Sequence, residues 1–266
     1  MLLTVDVGNS HTVSGVFQDD RLIKHWRLKS DRDRTADEFA IRYHSLFQMA
    51  GINPVDITGF VMSSVVPTLE TSWMSYIHKY MEQHLQTRPL AVSHETRTGI
   101  TVATENPAEV GADRIVNAVA AWDKFTSSFI VIDFGTAITF DCVSNRREYL
   151  GGTIHPGIGI SLDALAGRTA KLPRVDIDTQ PMQVIGTTTA TAIRSGILHG
   201  FGGLIDRMIE LLSAELNPDG GHVNTVATGG MARLIAPYTD SIDSIDPLLT
   251  LNGLRLIHEY NREGNV

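Results

Sequence analysis

One short pattern occurs twice, and it limits the folds open to this chain more than any other feature. DVGNSHT (residues 6–12) returns as DFGTAIT (133–139), an offset of 127 residues in a chain of 266. At that offset Asp133 falls on Asp6, Gly135 on Gly8, Thr136 on Asn9, Thr139 on Thr12 and, further along, Val143 on Val16. Each copy is an apolar strand, an aspartate, an apolar residue, a glycine, small polar residues and a second strand. One copy alone reads equally well as a tight hairpin, since Gly and Asn suit such turns. A hairpin needs no aspartate ahead of its glycine, and two copies about half a chain apart predict two related domains.

Phosphate binding is the chemistry that uses this pattern. Glycine lets the backbone come close to an anion, turn N–H groups and the Asn, Ser and Thr side chains donate to phosphate oxygens, and a nearby carboxylate holds a cation. Two such loops, one per domain, would clamp a nucleotide triphosphate. Neither copy is a GxxxxGK[ST] loop, neither is a GxGxxG leading into a helix, and protein-kinase signatures are absent. VATGGMA (226–232) adds a later glycine pair, Gly229 and Gly230, after a short apolar strand.

Composition narrows the classes. With 22 Lys+Arg against 30 Asp+Glu the net charge is -8, and no basic cluster points to nucleic acid. The single cysteine, Cys142, excludes an intramolecular disulfide and a multi-cysteine zinc site and reads as a small buried residue. No stretch reads as a signal peptide or a membrane span, which predicts a cytoplasmic protein.

Helix signals lie between the hairpins. Thr35 with Glu38 forms a capping box, Phe39, Tyr43, Leu46, Phe47 and Ala50 recur at helical spacing, and Gly51 stops the helix. GFVMSSVVP (59–67) reads as a buried strand closed by proline, with a helix around 68–85 behind it. In NPAEVGADRIVNAVAAWD, Asn106, Pro107 and Glu109 suit the N-cap, N1 and N3 positions of one long helix. Asp113 and Asn117 share a face of that helix, and Gly111 and Ala112 thin its surface beside Asp113. Spacing alone favours a plain reading, a surface Asp113 beside Arg114. GGTIHPGIGIS (151–161) reads as a loop. The segment from Gly186 to Leu212 reads as a glycine-rich apolar helix, either core or subunit interface. The ten histidines show no metal-ligand spacing.

The paired hairpins and the late glycine pair resemble the acetate kinase, sugar kinase, Hsp70 and actin superfamily. That resemblance implies an α/β protein of two RNase H-like (actin-like ATPase) domains with mixed sheets flanked by helices, here divided as 1–114 and 115–266. Nearly end to end, the chain is further similar to type III pantothenate kinases. DVGNSHT, SSVVP, ENPAEVGADRIVNA, VIDFGTAITFD, GGTIHPG, TTTATAIRSG, ATGGMA and the terminal DPLLTLNGLRLIHEYN carry the match.

This second resemblance implies ATP-dependent phosphorylation of pantothenate to 4'-phosphopantothenate, the first step of coenzyme A synthesis. It implies that Asp6, Val7, Gly8, Asn9, Ser10, His11, Thr12 and Val13 form one ATP phosphate loop, with Asp6 near magnesium. Thr136 would contact ATP in the second loop, and Gly229 and Gly230 would serve the adenosine. Gly111, Ala112, Asp113 and Arg114 would bind pantothenate, with Asp113 as general base, and Asp133 would ligate potassium or ammonium. Thr189 or Thr188 would reach the pantothenate of a neighbouring subunit in a homodimer. Thr104 stands where the family often has tyrosine, a departure that touches substrate affinity more than reaction type. Two other readings share the fold: another small-molecule kinase, and a non-catalytic nucleotide-binding regulator. A damaged GADR stretch or hairpin would favour the regulator, and both are whole.

Overall fold

The computed structural model describes residues 1–177 and 183–262. Its contacts divide the chain into two units, Met1–Ala120 with the C-terminal segment from Leu248, and Ala121–Pro247.

In the first unit an antiparallel meander of β1 (Leu2–Val7), β2 (His11–Gln18) and β3 (Arg21–Lys29) continues on its other side into β4 (Gly59–Ser64) and β5 (Leu90–Ala91). The order is β3-β2-β1-β4-β5, with β4 parallel to β1. A further two-residue strand, β6, covers Thr101–Val102. Leu3, Val5 and Val7 alternate onto one face, where α1 (Ala36–Ala50) and α2 (Pro67–Tyr76) cover them. Phe39, Tyr43, Phe47 and Trp73 pack there as an aromatic cluster, with Phe39 and Trp73 rings 4.5 Å apart. The capping box of α1 forms as expected: Glu38 N–H donates to Thr35 Oγ1 at 3.3 Å and Thr35 N–H to Glu38 Oε2 at 2.9 Å. Gly51 closes the helix at φ 68°.

The second unit repeats this plan. β7 (Phe129–Phe134), β8 (Ala137–Val143) and β9 (Glu148–Pro156) form the meander, and β10 (Asn224–Thr228) and β11 (Ser244–Ile245) add on the far side of β7 in parallel. Ile130, Ile132 and Phe134 face a core built with Ile158 of α4 (Ile158–Arg168) and Leu198, Ile205 and Ile209 of α5 (Thr189–Leu216).

Register shows how close the two copies are. Asp6 lies opposite Val13 on β2 and Ser63 on β4; Asp133 lies opposite Thr139 on β8 and Thr228 on β10. The second loop is one residue shorter, because Val7 pairs with Thr12 while Phe134 pairs with Ile138. The echo at 127 therefore holds through the glycine and becomes 126 beyond it: the counterpart of Thr12 is Ile138, and that of Val16 is Cys142. The register irregularities fall at Val16/Phe17 and Cys142/Val143, in step with the new offset.

Three expectations change. The long helix from Pro107 does not form: Pro107–Glu109 is a single 3-10 turn, Val110 is extended, and α3 runs Ala112–Phe125. GGTIHPG is not a loop, since residues 151–156 complete β9 and α4 follows directly after Gly157. Finally, contacts place the division at Ala120/Ala121, inside α3, in place of 114/115, and return the C-terminal helix α7 (Leu249–Arg262) to the first unit. Its packing is the reason: Gly15 lies against Leu251, Gly59 against His258 and Gly253 against the Val116 carbonyl, and Thr250 Oγ1 donates to Asn117 Oδ1 at 2.7 Å. Asn117 is thus a satisfied core residue and does not join Asp113 as a surface group. Among the described residues no helix is long and apolar enough to cross a membrane.

Candidate active site

In the first unit, β1 delivers Asp6 half-buried to the end of the sheet, and Ser63 Oγ donates to its Oδ1 at 2.8 Å. The loop that follows exposes Asn9, Ser10 and His11. Gly8 N–H donates to the His11 carbonyl at 3.1 Å, and Ser30 Oγ donates to the Gly8 carbonyl at 2.6 Å. Ser30 Oγ also lies 3.0 Å from Thr12 Oγ1, so the residue that follows β3 braces the loop. Arg32 donates to Asn9 Oδ1 at 3.1 Å, and Arg27 Nη2 lies 3.1 Å from His11 Nδ1. A guanidinium can only donate, so Nδ1 accepts and the imidazole proton sits on Nε2. Partial burial, then the charges of Arg27 and Lys29, hold His11 below its ordinary pKa, which agrees with a neutral ring.

The GADR stretch stands at the same end of this sheet. An ideal Cβ on Gly111 would lie 3.6 Å from Val65 Cγ1, and Val65 N–H donates to the Val7 carbonyl at 3.1 Å, one residue before Gly8. The break at Val110 starts α3 at Ala112 and so puts Asp113 in its first turn, where helix N–H groups and the macrodipole favour a carboxylate. Asp113 Oδ1 accepts from Arg114 N–H at 2.8 Å. Asp113 and Arg114 are both half-buried, unlike the solvated pair that spacing alone favours. Thr104 has a buried Oγ1 with no hydrogen-bond partner.

In the second unit, Asp133 is half-buried at the end of β7 and Gly135 and Thr136 are exposed in the loop. Gly135 N–H donates to the Ala137 carbonyl at 3.0 Å, and Gly157 N–H to the Thr136 carbonyl at 3.1 Å. The glycine pair joins this loop directly. Gly229 has φ 88°, and an ideal Cβ there would lie 2.5 Å from Asp133 Oδ1 and 2.6 Å from the Phe134 carbonyl. Asp133, the second loop and the Gly229–Gly230 turn are therefore one local constellation.

Beneath it lies a buried carboxylate. Asp141 is fully buried and accepts from Tyr149 Oη at 2.6 Å and Thr139 Oγ1 at 2.9 Å. At offset 126 its counterpart in the first unit is Gly15, covered by Leu22.

The threonine run caps α5. Thr191 N–H donates to Thr188 Oγ1 at 3.2 Å and Thr188 N–H to Thr191 Oγ1 at 2.9 Å, so Thr188 is committed to the cap. Thr189 is the first helical residue and is exposed. Along α5, Gly202 packs against Tyr238, while Gly196, Gly200 and Gly203 have open space where a Cβ would stand.

His155 lies opposite Ile138 at the end of β9, and its Nε2 is buried without a hydrogen-bond partner. A polar atom left this way suits a ligand group. No ligand spacing surrounds His155 in the sequence, and only the strand pairing brings it beside the loop.

Two sheets of one plan, each ending in an aspartate and a glycine-bearing loop, define the actin-like ATPase and sugar kinase fold class. The activator of the 2-hydroxyisocaproyl-CoA dehydratase from Clostridium difficile, with bound ADPNP, shares that fold at a TM-score of 0.52 and 14% identity, covering 99% of this chain and 96% of its own. The type III pantothenate kinase family model matches residues 2–211. The type III pantothenate kinase of Desulfotalea psychrophila is 51% identical over 97% of both chains. That of Moorella thermoacetica is 46% identical over 98% of this chain and 100% of its own. The chain belongs to the type III pantothenate kinase family.

Proposed function

We propose that the chain performs its family's reaction, ATP-dependent phosphorylation of pantothenate in coenzyme A biosynthesis, with Asp113 as the base. The observation that carries this assignment is the start of α3: Gly111 leaves room for the Asp113 carboxylate at a helix N-terminus, beside the end of β1. Phosphoryl transfer asks a protein mainly for positioning and charge neutralisation. The Asn9–Thr12 loop and Thr136 donate to the phosphates, and the Gly229–Gly230 turn admits the adenosine. Asp113 accepts the proton of the pantothenate primary hydroxyl as that oxygen attacks the γ-phosphorus and ADP leaves. Gly111, Ala112 and Arg114 hold the acceptor, and Thr104 stands where the resemblance implies a tyrosine.

The donor set fits hard cations. Asp6 and Asp133 offer carboxylate oxygens, and the described residues contain no group of three His, Cys, Asp or Glu that would hold a metal by protein ligands alone. Magnesium usually keeps waters and phosphate oxygens around one or two carboxylates. Asp6 would hold magnesium and Asp133 potassium or ammonium, and such cations supply positive charge against the triphosphate.

We further propose a homodimer in which Thr189 reaches the partner's pantothenate. The open side of α5 at Gly196, Gly200 and Gly203 supports close helix pairing.

A coupled assay of ADP release tests the whole reading. Pantothenate-dependent turnover is expected in potassium and is expected to fall sharply in sodium alone. Asp113→Asn is expected to lose at least about 10²-fold in kcat with ATP binding kept. Near-wild-type turnover of that variant would remove the base, and equal rates in the two salts would remove the Asp133 assignment.

A further inference from the structure

At the far end of the first unit's sheet, away from the Gly8 loop, lies a cavity of about 410 Å³ with no part in the reading above. It sits between the segment around β5 and the last turn of α7, and its lining includes Arg88, Arg97, Arg262 and Tyr260. Among the described residues no carboxylate lines it. Some arginines of the chain pair with acids, among them Arg34 with Asp31, Arg146 with Glu148, Arg207 with Glu210 and Arg255 with Glu259; the three that line this hollow are exposed to solvent. Among the described residues Arg88, Arg97 and Arg262 form no ion pair.

The walls are fixed by hydrogen bonds. Asn261 Nδ2 donates to the Arg97 carbonyl at 2.8 Å, tying that loop to α7. Thr87 Oγ1 lies 3.2 Å from His258 Nε2 beneath the cavity. Burial, then the nearby Arg262 charge, holds His258 below its ordinary pKa, so the cavity's positive charge comes from the guanidinium groups. Asp19, Asp20 and Glu259 line a neighbouring hollow that shares Thr87, His258 and Arg262 with this one, and Glu259 there is taken by Arg255 at 2.6 Å.

We infer that this cavity binds a small phosphorylated anion carrying two or more phosphate charges. Guanidinium forks match phosphate oxygens in pairs, and three of them around one hollow suit a multivalent group better than a single carboxylate. The volume lies within the range of small-molecule sites. Leu90, Pro89 and the Tyr260 ring offer apolar surface to the rest of the ligand. The site shares no lining residue with either loop, and its assignment does not rest on the proposed reaction.

The test uses pyrophosphate as probe on the full-length protein, with the ATP site saturated by a non-hydrolysable ATP analogue and magnesium. Calorimetry is expected to find one saturable equivalent per chain with a Kd below about 1 mM. Hydrogen exchange is expected to slow across 87–98 and the last turn of α7. Arg88→Gln with Arg97→Gln is expected to weaken binding at least roughly tenfold. Arg146→Gln, a control for general loss of charge, is expected to leave it unchanged. Absence of saturable binding, equal binding by the double variant, equal loss in the Arg146 control, or protection confined to other segments would each overturn the assignment.

Discussion

Gly111 and Asp113 compete for one volume: a Cβ built on Gly111 would lie 2.6 Å from Asp113 Oδ1. The glycine is required by the carboxylate, not by its own backbone angles. Gly111→Ala is therefore expected to keep the fold, because the obstructed atom ends a side chain that can turn away. The turned carboxylate would no longer meet the acceptor hydroxyl, and kcat is expected to fall by roughly 10–100-fold, since small misplacements of reacting groups cost that much. Steady-state kinetics beside a thermal melt check this. A large loss of stability with unchanged kcat per folded molecule would refute it.

Gly229 faces a harder obstacle. Its φ of 88° is strained for any other residue, and its Cβ would meet the Phe134 carbonyl at 2.6 Å as well as Asp133. Backbone cannot rotate out of the way as a carboxylate can. Gly229→Ala is expected to destabilise the protein by about 1–3 kcal/mol and to weaken nucleotide binding. Urea unfolding and a nucleotide titration measure the two effects; wild-type values in both would show that the turn relaxes freely.

Tyr149→Phe removes one donor from the fully buried Asp141. The expected loss is about 1–3 kcal/mol of stability. Since Thr139 Oγ1 donates to the same carboxylate, the double variant Tyr149→Phe/Thr139→Val is expected to show non-additive losses in denaturant unfolding. Simple additivity would mean that the two hydroxyls act on Asp141 independently.

Much of this architecture was legible because its signals are local. The two hairpins show in the sequence as aspartate, glycine and small polar residues between apolar strands, and Thr35, Glu38 and Gly51 mark both ends of α1. The start of α3 was not legible. Asn106, Pro107 and Glu109 are sound helix-start residues and do begin a turn, but Val110 turns extended where the chain meets Val65, a tertiary fact. The strand through GGTIHPG was hidden because its glycines mask alternation; Gly152 lies where β9 comes close to the backbone of β8 at Phe140. The return of α7 to the first unit rests on contacts with Gly15, Gly59 and Val116, more than 100 residues away in sequence. His155 became visible only through its pairing beside Phe140 and Ile138.

The one-residue difference between the two hairpins also records history. A repeat whose offset steps from 127 to 126 at its turn, with strand pairing and irregularity in step on both sides, is the pattern that a duplicated unit with one residue gained or lost in the loop would leave. Strand residues could not take that change, because a slip of one would have turned every downstream side chain to the opposite face. The loop could, and from then on the two halves were free to diverge. One descendant kept a longer turn bearing Asn9, Ser10 and His11; the other kept a shorter one on Gly135 and Thr136 and set a buried acid where its sibling has Gly15. The two loops now differ in length and in the side chains they carry, so neither unit could stand in for the other.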